Sequence, residues 1–403
     1  MLTGSDQLLS SQLSNLRRRL RDARVGALTH SAAVDRRGRG LCAVLEELGA
    51  SPSLVFSPEH GLDGVAQAEE PVASSDGNDG PRVISLYGTT KESLAPTAEQ
   101  LAQLDVLVVD LVDVGSRYYT YVWTALLTAR AAARAGVHVV ILDRPNPISG
   151  DPSTLEGVPQ KEGFLSFVGL EPLPIRHALS LGEIVTMFAE RDSLALGPDG
   201  ALSVVPVLGW ERFRTAAAWG RPFSPPSPNM PTLEAALVYP GGCLLEGTNL
   251  SEGRGTTLPF QLIGAPYLDG ARLASALDEQ RIVGAQVRAA RFRPSFEKHA
   301  GEVCSGVLLQ VTDPALFRPV AAYLTLIALC RLQAPDAFAF RTKAYEFEAD
   351  VPAFDLLTGS ALARDAIANG ASPSEVVDLV APVDASWKGV VLEAEERLAR
   401  ARA

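Results

Sequence analysis

The stretch Val106-Leu107-Val108-Val109-Asp110-Leu111-Val112 is a nearly continuous run of aliphatic residues, most of them β-branched. Such a run predicts a strand that is buried on both faces, as in a parallel sheet covered by helices. Four shorter runs in the first half of the chain have the same character: residues 25–29, 53–56, 83–86 and 137–142. Helical patterns alternate with them, near residues 41–48, 97–104 and 119–135. This alternation predicts a Rossmann-like α/β layer.

The second half of the chain has a different pattern. A segment rich in proline and glycine at 145–174 predicts a linker or an active-site loop, and residues 222–266 predict a long irregular region of the kind that is usually functional. Strands are predicted at 202–207, 287–292 and 303–311, and helices at 181–191, 271–279, 314–332, 373–380 and 392–402. Because 403 residues exceed what one core usually organises, we predict two domains. These are a Rossmann-like domain over residues 1–150 and a smaller α+β domain over 151–403, with the active-site cleft between them.

Composition excludes several classes of function. With 36 basic and 47 acidic side chains the net charge is −11, which argues against a nucleic-acid surface. The four cysteines lie far apart and predict buried free thiols, and the five histidines lack metal-ligand spacing, so we predict neither a metal nor another cofactor. No apolar run is long enough for a membrane span and no signal peptide is visible. We expect a cytoplasmic protein, with export by another route left open and the oligomeric state undetermined.

Acidic residues stand at or just past the ends of three predicted strands. Glu59 and His60 follow the strand at 53–56, Asp113 follows the run quoted above, and Asp143 follows the strand at 137–142. In an open parallel sheet, ligands bind outside the carboxyl ends of the strands, so these side chains are candidates for one polar pocket. Each also has a structural alternative. The Glu59 loop can be a solvated turn, Asp113 can cap the next helix, and Asp143 can form a salt bridge with Arg144.

Further candidates come from the neighbouring loops. The predicted irregular region is rich in hydrogen-bonding groups that match the hydroxyls of a sugar. Arg254 or Arg117 could clamp a carboxylate in bidentate fashion, and Tyr119 could stack on a pyranose ring. Asn146 is held between two prolines, which suits a fixed side-chain presentation. The full set of predicted substrate-binding residues is His60, Arg117, Tyr119, Asp143, Arg144, Asn146, Asn229, Glu246, Asn249, Glu252 and Arg254.

Taken in order, several blocks of this sequence resemble the exo-β-N-acetylmuramidases of the NamZ type, a family formerly known only as a domain of unknown function. The matching blocks are residues 57–61, 85–88, 113–121, 142–147, 167–169, 174–177, 225–231, 239–241, 246–257, 263–266 and 296–299. The resemblance implies a peptidoglycan glycosidase that removes terminal N-acetylmuramic acid (MurNAc) from the non-reducing end of wall fragments. It also implies that Glu59 is the catalytic general acid or base.

The resemblance suggests roles for other residues as well. The acetamido group of the substrate can replace an enzymic nucleophile, in which case Asp113 would orient it, with Glu252 behind. Arg254 or Arg117 would bind the lactyl carboxylate of MurNAc. The chain departs from the family at Asp63, where an arginine is usual, at Val112, where a glutamine is usual, and at His30-Ser31, where an Asn-Pro turn is usual. These departures motivate an alternative, a non-catalytic muropeptide-binding or sensor protein.

Overall fold

The structure is a computed structural model that describes residues 1–75 and 81–403. Nine strands occur in the described residues: β1 (Val25–Thr29), β2 (Leu54–Ser57), β3 (Arg82–Ser85), β4 (Val106–Asp110), β5 (His138–Leu142), β6 (Leu202–Val205), β7 (Leu262–Ala265), β8 (Ala285–Phe292) and β9 (Cys304–Val311). The α-helices there are α1 (Gly4–Gln7), α2 (Ser14–Asp22), α3 (Leu41–Leu48), α4 (Ala98–Leu101), α5 (Tyr121–Ala135), α6 (Leu181–Arg191), α7 (Leu233–Gly242), α8 (Gly270–Glu279), α9 (Pro319–Gln333), α10 (Ala353–Thr358), α11 (Leu362–Ala368), α12 (Pro373–Val380), α13 (Ser386–Leu392) and α14 (Ala394–Ala401).

The first six strands form one parallel sheet in the order β3-β2-β1-β4-β5-β6. This is the strand order of a doubly wound Rossmann layer, with the switch point between β1 and β4. Strands β1, β2, β4, β5 and β6 are buried along their whole length, as continuous aliphatic runs require. The other three strands form a small antiparallel sheet, β7-β9-β8. The predicted α/β class with a smaller α+β part is confirmed.

Two pieces of the second half of the chain return to the first sheet. Strand β6 lies beyond the predicted domain boundary at residue 150, yet it pairs with β5. At the C-terminus, Arg402 forms a bridge with Val204 of β6, and the Ala403 amide donates to the Val204 carbonyl at 2.9 Å. The predicted helix at 392–402 corresponds to α14, which packs against α6. The C-terminal segment thus covers an edge of the sheet that the N-terminal half alone would leave open.

The prediction of an irregular region at 222–266 is wrong, because the segment contains the buried helix α7 and the strand β7. Helix α7 ends in Tyr239-Pro240-Gly241-Gly242, a combination that normally marks a turn. The glycines are explained by packing, since a Cβ on Gly241 would collide with the backbone of Pro319 at the start of α9. Tertiary packing here overrides the helix-breaking tendency of the sequence.

Three further observations concern the thiols, a buried histidine and the membrane. All four cysteines are free. His138 is buried and satisfied, with Nδ1 2.8 Å from the Gly200 carbonyl oxygen and Nε2 2.8 Å from Ser203 Oγ. Among the described residues, no helix combines the length and the apolar composition that crossing a bilayer requires.

Candidate active site

The loop after β2 places Glu59 at the carboxyl end of the parallel sheet. Strand β2 ends at Ser57, and Pro58 separates it from the glutamate. The Glu59 carboxylate is buried and accepts two hydrogen bonds, from Thr120 Oγ1 to Oε2 at 2.7 Å and from the Glu69 amide to Oε1 at 3.3 Å. The Tyr121 hydroxyl lies 3.1 Å from the Glu59 carbonyl oxygen. Side chain and backbone of Glu59 are therefore both held by the start of α5.

His60 holds the shape of this loop. It adopts a left-handed backbone conformation with φ at 68°, which costs a non-glycine residue on the order of 1 kcal/mol or more. Its Nδ1 lies 2.8 Å from the Ala66 carbonyl oxygen. Because a carbonyl oxygen only accepts, Nδ1 carries the proton in this contact. Strained residues of this kind cluster at functional sites, and the ring helps to fix the turn that presents Glu59.

A cavity, partly open to solvent, brings together residues from both halves of the chain. Six of the predicted residues line it: Glu59, His60, Tyr119, Asn229, Glu246 and Arg254. The remaining lining residues are Ala68, Tyr118, Thr120, Val168, Ser227, Met230, Tyr239, Phe260, Tyr345 and Glu346. Three residues on its wall, His60, Phe260 and Glu346, have positive φ angles. Hydroxyl, carboxyl and aromatic groups thus converge in one concave site, as sugar-binding sites require.

A network of charges forms the wall of the cavity contributed by the second half. Arg254 Nη2 lies 2.7 Å from Glu246 Oε1, and Lys298 Nζ lies 2.9 Å from Glu252 Oε2. The Tyr345 hydroxyl donates to the other oxygen of Glu246 at 2.7 Å. Burial raises the pKa of Glu246 although Arg254 opposes it, whereas the Lys298 and Arg254 charges hold the pKa of Glu252 below its usual value against the effect of burial. Glu252 supports this wall without lining the cavity.

Asn229 connects the two walls. Its Nδ2 donates to Gln67 Oε1 at 2.8 Å, which ties the loop before α7 to the Glu59 loop. Asn249 lies outside the cavity. Its side chain accepts from the Tyr267 hydroxyl at 2.6 Å and from the Ala339 amide at 3.0 Å. These bonds hold the loop around Asn249 against Tyr267 and Ala339.

The acids at the other two strand ends do not line this cavity. Asp113 accepts from the Gly115 amide at 2.9 Å and lies 3.4 Å from His177 Nε2. It does not cap α5, whose N-cap is Thr120. Asp143 accepts from Ser180 Oγ at 2.7 Å and from the Gly182 amide at 2.8 Å, so it binds the N-terminus of α6. Burial, reinforced by the charge of Glu183, raises the pKa of Asp143 to about 7.

The arginines and the asparagine near these strand ends have structural contacts. The predicted salt bridge between Asp143 and Arg144 is wrong. Arg144 pairs with Asp110 instead, with Nη2 2.8 Å from Asp110 Oδ2. Arg117 is buried, and its Nη1 donates to the carbonyls of Val158 and Leu173 at 2.9 and 2.8 Å. Asn146 bridges backbone groups, with Nδ2 3.1 Å from the Leu179 carbonyl oxygen and Oδ1 accepting from the Ile148 amide. None of the three reaches the cavity that holds Glu59.

The sequence analysis missed Tyr345 and Glu346. Glu346 is buried and accepts from the Tyr87 hydroxyl at 2.9 Å. Burial, followed by the charges of Glu59 and Glu69, raises the pKa of Glu346 well above its usual value. The two residues follow the blocks on which the family resemblance rests. The only signal in the sequence was an acidic side chain between two aromatic ones, which is too common a pattern to single out.

The three departures from the family lie beside the Glu59 loop. Asp63 is exposed, and its carbonyl oxygen accepts from Ser31 Oγ at 3.0 Å. The Val112 amide donates to His30 Nε2 at 3.1 Å. Burial, followed by the charges of Arg144 and His60, lowers the pKa of His30 to about 3 and keeps it neutral. The side chains at positions 30 and 63 do not line the cavity.

Comparison with known proteins identifies the family. Models of the N-terminal and C-terminal parts of the exo-β-N-acetylmuramidase NamZ match residues 25–234 and 237–392. The chain belongs to the NamZ family. It is 38% identical, over 93% of its own length and 86% of the relative's, to the peptidoglycan β-N-acetylmuramidase NamZ of Bacillus subtilis. The predicted family is confirmed, and it places the chain among glycosidases.

Two crystal structures of DUF1343 family proteins from Bacteroides fragilis share the fold. One has a TM-score of 0.80 at 26% identity and covers 99% of this chain and 97% of its own. The other has a TM-score of 0.69 at 24% identity and covers 100% and 98%. Both structures match the fold of this chain along nearly its whole length.

Proposed function

We propose that this protein is an exo-lytic β-N-acetylmuramidase that releases terminal MurNAc from the non-reducing end of peptidoglycan fragments. The observation that carries the proposal is Glu59, a buried carboxyl group at the carboxyl end of a parallel strand, facing a cavity of polar and aromatic side chains. The activity in the name of the B. subtilis relative supports the substrate class.

Glu59 takes part as general acid or base. Cleavage of a glycosidic bond needs a proton on the leaving oxygen and a base for the attacking group. A positioned carboxyl group typically contributes about 10²- to 10⁴-fold to such a step. Thr120 and the Glu69 amide fix both oxygens of Glu59, so its orientation is set before the substrate arrives. Pre-organisation of this kind is what a catalytic carboxyl group requires.

The acetamido oxygen of MurNAc is our proposed nucleophile. In families that use substrate assistance, this oxygen attacks the anomeric carbon and no enzymic nucleophile is needed. Thr120, which lines the cavity and donates to Glu59, is not an activated nucleophile. Asp113 accepts from Gly115 and lies beside His177, away from this wall, and we give it a supporting role.

The sugar is bound by the polar lining. Asn229, His60 and Glu246 offer hydrogen bonds to hydroxyl groups, and Tyr119 offers an aromatic surface. For the lactyl carboxylate we propose Arg254, whose guanidinium faces the cavity between Glu246 and Glu252. Arg117 is not available for that role, because backbone carbonyls surround its guanidinium.

The test is turnover of the disaccharide MurNAc-β-1,4-GlcNAc. We expect the wild type to release free MurNAc, and a substrate capped by a non-reducing GlcNAc to stay intact. Glu59→Gln keeps the size of the side chain and one acceptor oxygen but cannot transfer a proton, so turnover should fall by about 10²- to 10⁴-fold. Calorimetry on the same variant checks that the disaccharide still binds. Binding by a wild type that turns over neither compound would contradict the proposal.

A further inference from the structure

Glu346 lies in a segment that several contacts fix against the Glu59 side of the cavity. Arg341, at its start, forms a bidentate ion pair with Glu69 at 2.9 and 3.0 Å. The Glu69 backbone amide is the group that donates to Glu59. Lys91 forms an ion pair with Glu348 at 2.5 Å on the other side of Glu346. The segment is thus tied to the loop of the catalytic glutamate, although nearly three hundred residues separate them in sequence.

The backbone at Glu346 is strained in a way that fixes its side chain. Glu346 and Phe347 have consecutive positive φ angles of 47° and 66°, which are rare for residues with a Cβ. The Phe347 ring packs edge-on against Tyr87 at 5.4 Å and lies near Phe167. Tyr87 in turn holds Glu346 Oε2. Strain of this kind persists where the surroundings over-determine it, which is frequent at active sites.

The surroundings of Glu346 disfavour a negative charge on its carboxyl group. Three carboxyl groups, Glu59, Glu69 and Glu246, all disfavour a negative charge on Glu346, and burial does so more strongly. The Tyr87 hydroxyl acts in the opposite direction but is the weaker influence. Within residues 1–75 and 81–403 no ion pair involves Glu346. A buried carboxyl group near other carboxyl groups favours its protonated form, as a general acid requires.

We propose that Glu346 is the general acid of the glycosidic cleavage and that Glu59 is its partner base, because both side chains line one cavity, with Glu346 held by Tyr87 and Glu59 by Thr120. This inference rests on the proposed muramidase function and assigns the proton within it. Glu59 receives a hydroxyl and an amide donor, the environment of a carboxylate. Glu346 is buried near Glu59, Glu69 and Glu246 and has no ion-pair partner among the described residues, the environment of a neutral carboxyl group.

The resulting reaction is balanced in protons and electrons. The bond between the anomeric carbon and the leaving oxygen breaks with its electron pair on the oxygen, which takes the proton of Glu346 and leaves as a sugar alcohol. The acetamido oxygen bonds to the anomeric carbon, and Glu59 takes the amide proton. Water then adds to that carbon and gives a proton to Glu346, while Glu59 returns its proton to the amide nitrogen as the oxygen bridge opens. The net change is the addition of one water.

The test compares two leaving groups with the variant Glu346→Gln. The sugar alcohol of the disaccharide needs protonation to leave, whereas 4-nitrophenol of 4-nitrophenyl-β-MurNAc leaves as its anion. We measure kcat/KM, because it reports the steps up to cleavage of the glycosidic bond. For Glu346→Gln we expect a loss of about 10²- to 10⁴-fold on the disaccharide and of less than about 10-fold on the nitrophenyl substrate. Equal losses on both substrates, or none on the disaccharide, would overturn the assignment.

Two further variants test the parts that Glu59 and Tyr87 play in this assignment. Glu59→Gln should lose activity on both substrates, so a fully active Glu59→Gln refutes the role of Glu59 and leaves the result for Glu346→Gln intact. Tyr87→Phe removes the hydroxyl that lowers the pKa of Glu346, and the high-pH limb of kcat/KM should therefore move to higher pH. An unmoved limb in a Tyr87→Phe protein that unfolds at the wild-type temperature would contradict the proposal. A wild type inert on both substrates would overturn it together with the proposed function.

Discussion

The carboxyl ends of β2 and β5 look alike in sequence and differ in the molecule. Each strand is buried and parallel, and each is followed by an acid, Glu59 in one case and Asp143 in the other. Asp143 is enclosed by Ser180 and Gly182 at the start of α6, and a Cβ on Gly182 would lie 2.7 Å from the Asp143 carboxyl carbon. Glu59 is followed by a turn at His60 and lines the cavity.

The difference shows when an acid at a strand end is available for chemistry. At β5 the next helix packs directly on the carboxylate and uses both of its oxygens as a cap. At β2 the chain continues as a loop, and α5, which supplies Thr120, comes from the next strand but one in the sheet. The strand end supplies the position, and the segment that packs against the carboxylate decides between a structural and a chemical role.

The largest expected effect concerns the structural acid. The pKa of Asp143 is raised to about 7 in the folded protein, so its contribution to stability is fully present near pH 4 and is lost as the pH rises through 7. Asp143→Asn cannot ionise and should remove this dependence. Relative to the variant, we expect the wild type to lose on the order of 2–4 kcal/mol of unfolding free energy between pH 4 and pH 8. Urea unfolding of both proteins at a series of pH values measures this difference. The same pH dependence of the unfolding free energy in the wild type and the variant would refute the prediction.

A smaller effect is expected at Thr120, which donates a hydrogen bond to Glu59. Thr120→Val removes the hydroxyl that holds Glu59 Oε2, and we expect kcat/KM on the disaccharide to fall about 10-fold. The matched control is Thr124→Val, one turn later, whose hydroxyl donates to the Thr120 carbonyl at 3.2 Å and not to Glu59. The control should keep the wild-type kcat/KM. If both variants lose activity equally, the contact between Thr120 and Glu59 is not what orients the carboxylate.

The smallest effect is expected at Asp63, the departure that the sequence made prominent. Its side chain is exposed and lies outside the cavity lining, so Asp63→Arg should change kcat/KM on the disaccharide less than about 3-fold. Measurement at low and high salt separates a direct contact from long-range attraction of the anionic substrate. A larger change that persists in high salt would mean that position 63 meets the substrate.

The fold could be predicted where one local signal decided the structure. Continuous aliphatic runs sufficed for β1, β4 and β5, because burial on both faces leaves few alternatives. Helix α7 was missed since its Pro240 and glycines are tolerated only through packing against α9. The return of β6 and of the C-terminus to the first sheet depends on contacts between distant residues, which periodicity does not report.

The site could be predicted only in part. Glu59, Glu246 and Arg254 were singled out by sequence and share one cavity, but Asp143 and Arg117 were equally prominent in the sequence. Asp143 and Arg117 stay outside the cavity because other groups surround them, a helix start for Asp143 and backbone carbonyls for Arg117. Glu346 reaches the cavity because Arg341 and Tyr87 hold its segment there, and neither contact can be read from the local sequence.

The most direct measurement of the central claim is kcat/KM for release of MurNAc from MurNAc-β-1,4-GlcNAc by the wild type, Glu59→Gln and Asp143→Asn, each shown to be folded. The account predicts turnover by the wild type, a loss of about 10²- to 10⁴-fold in Glu59→Gln and a value within about 3-fold of the wild type in Asp143→Asn. Equal activity of Glu59→Gln and the wild type, or equal losses in both variants, would contradict it.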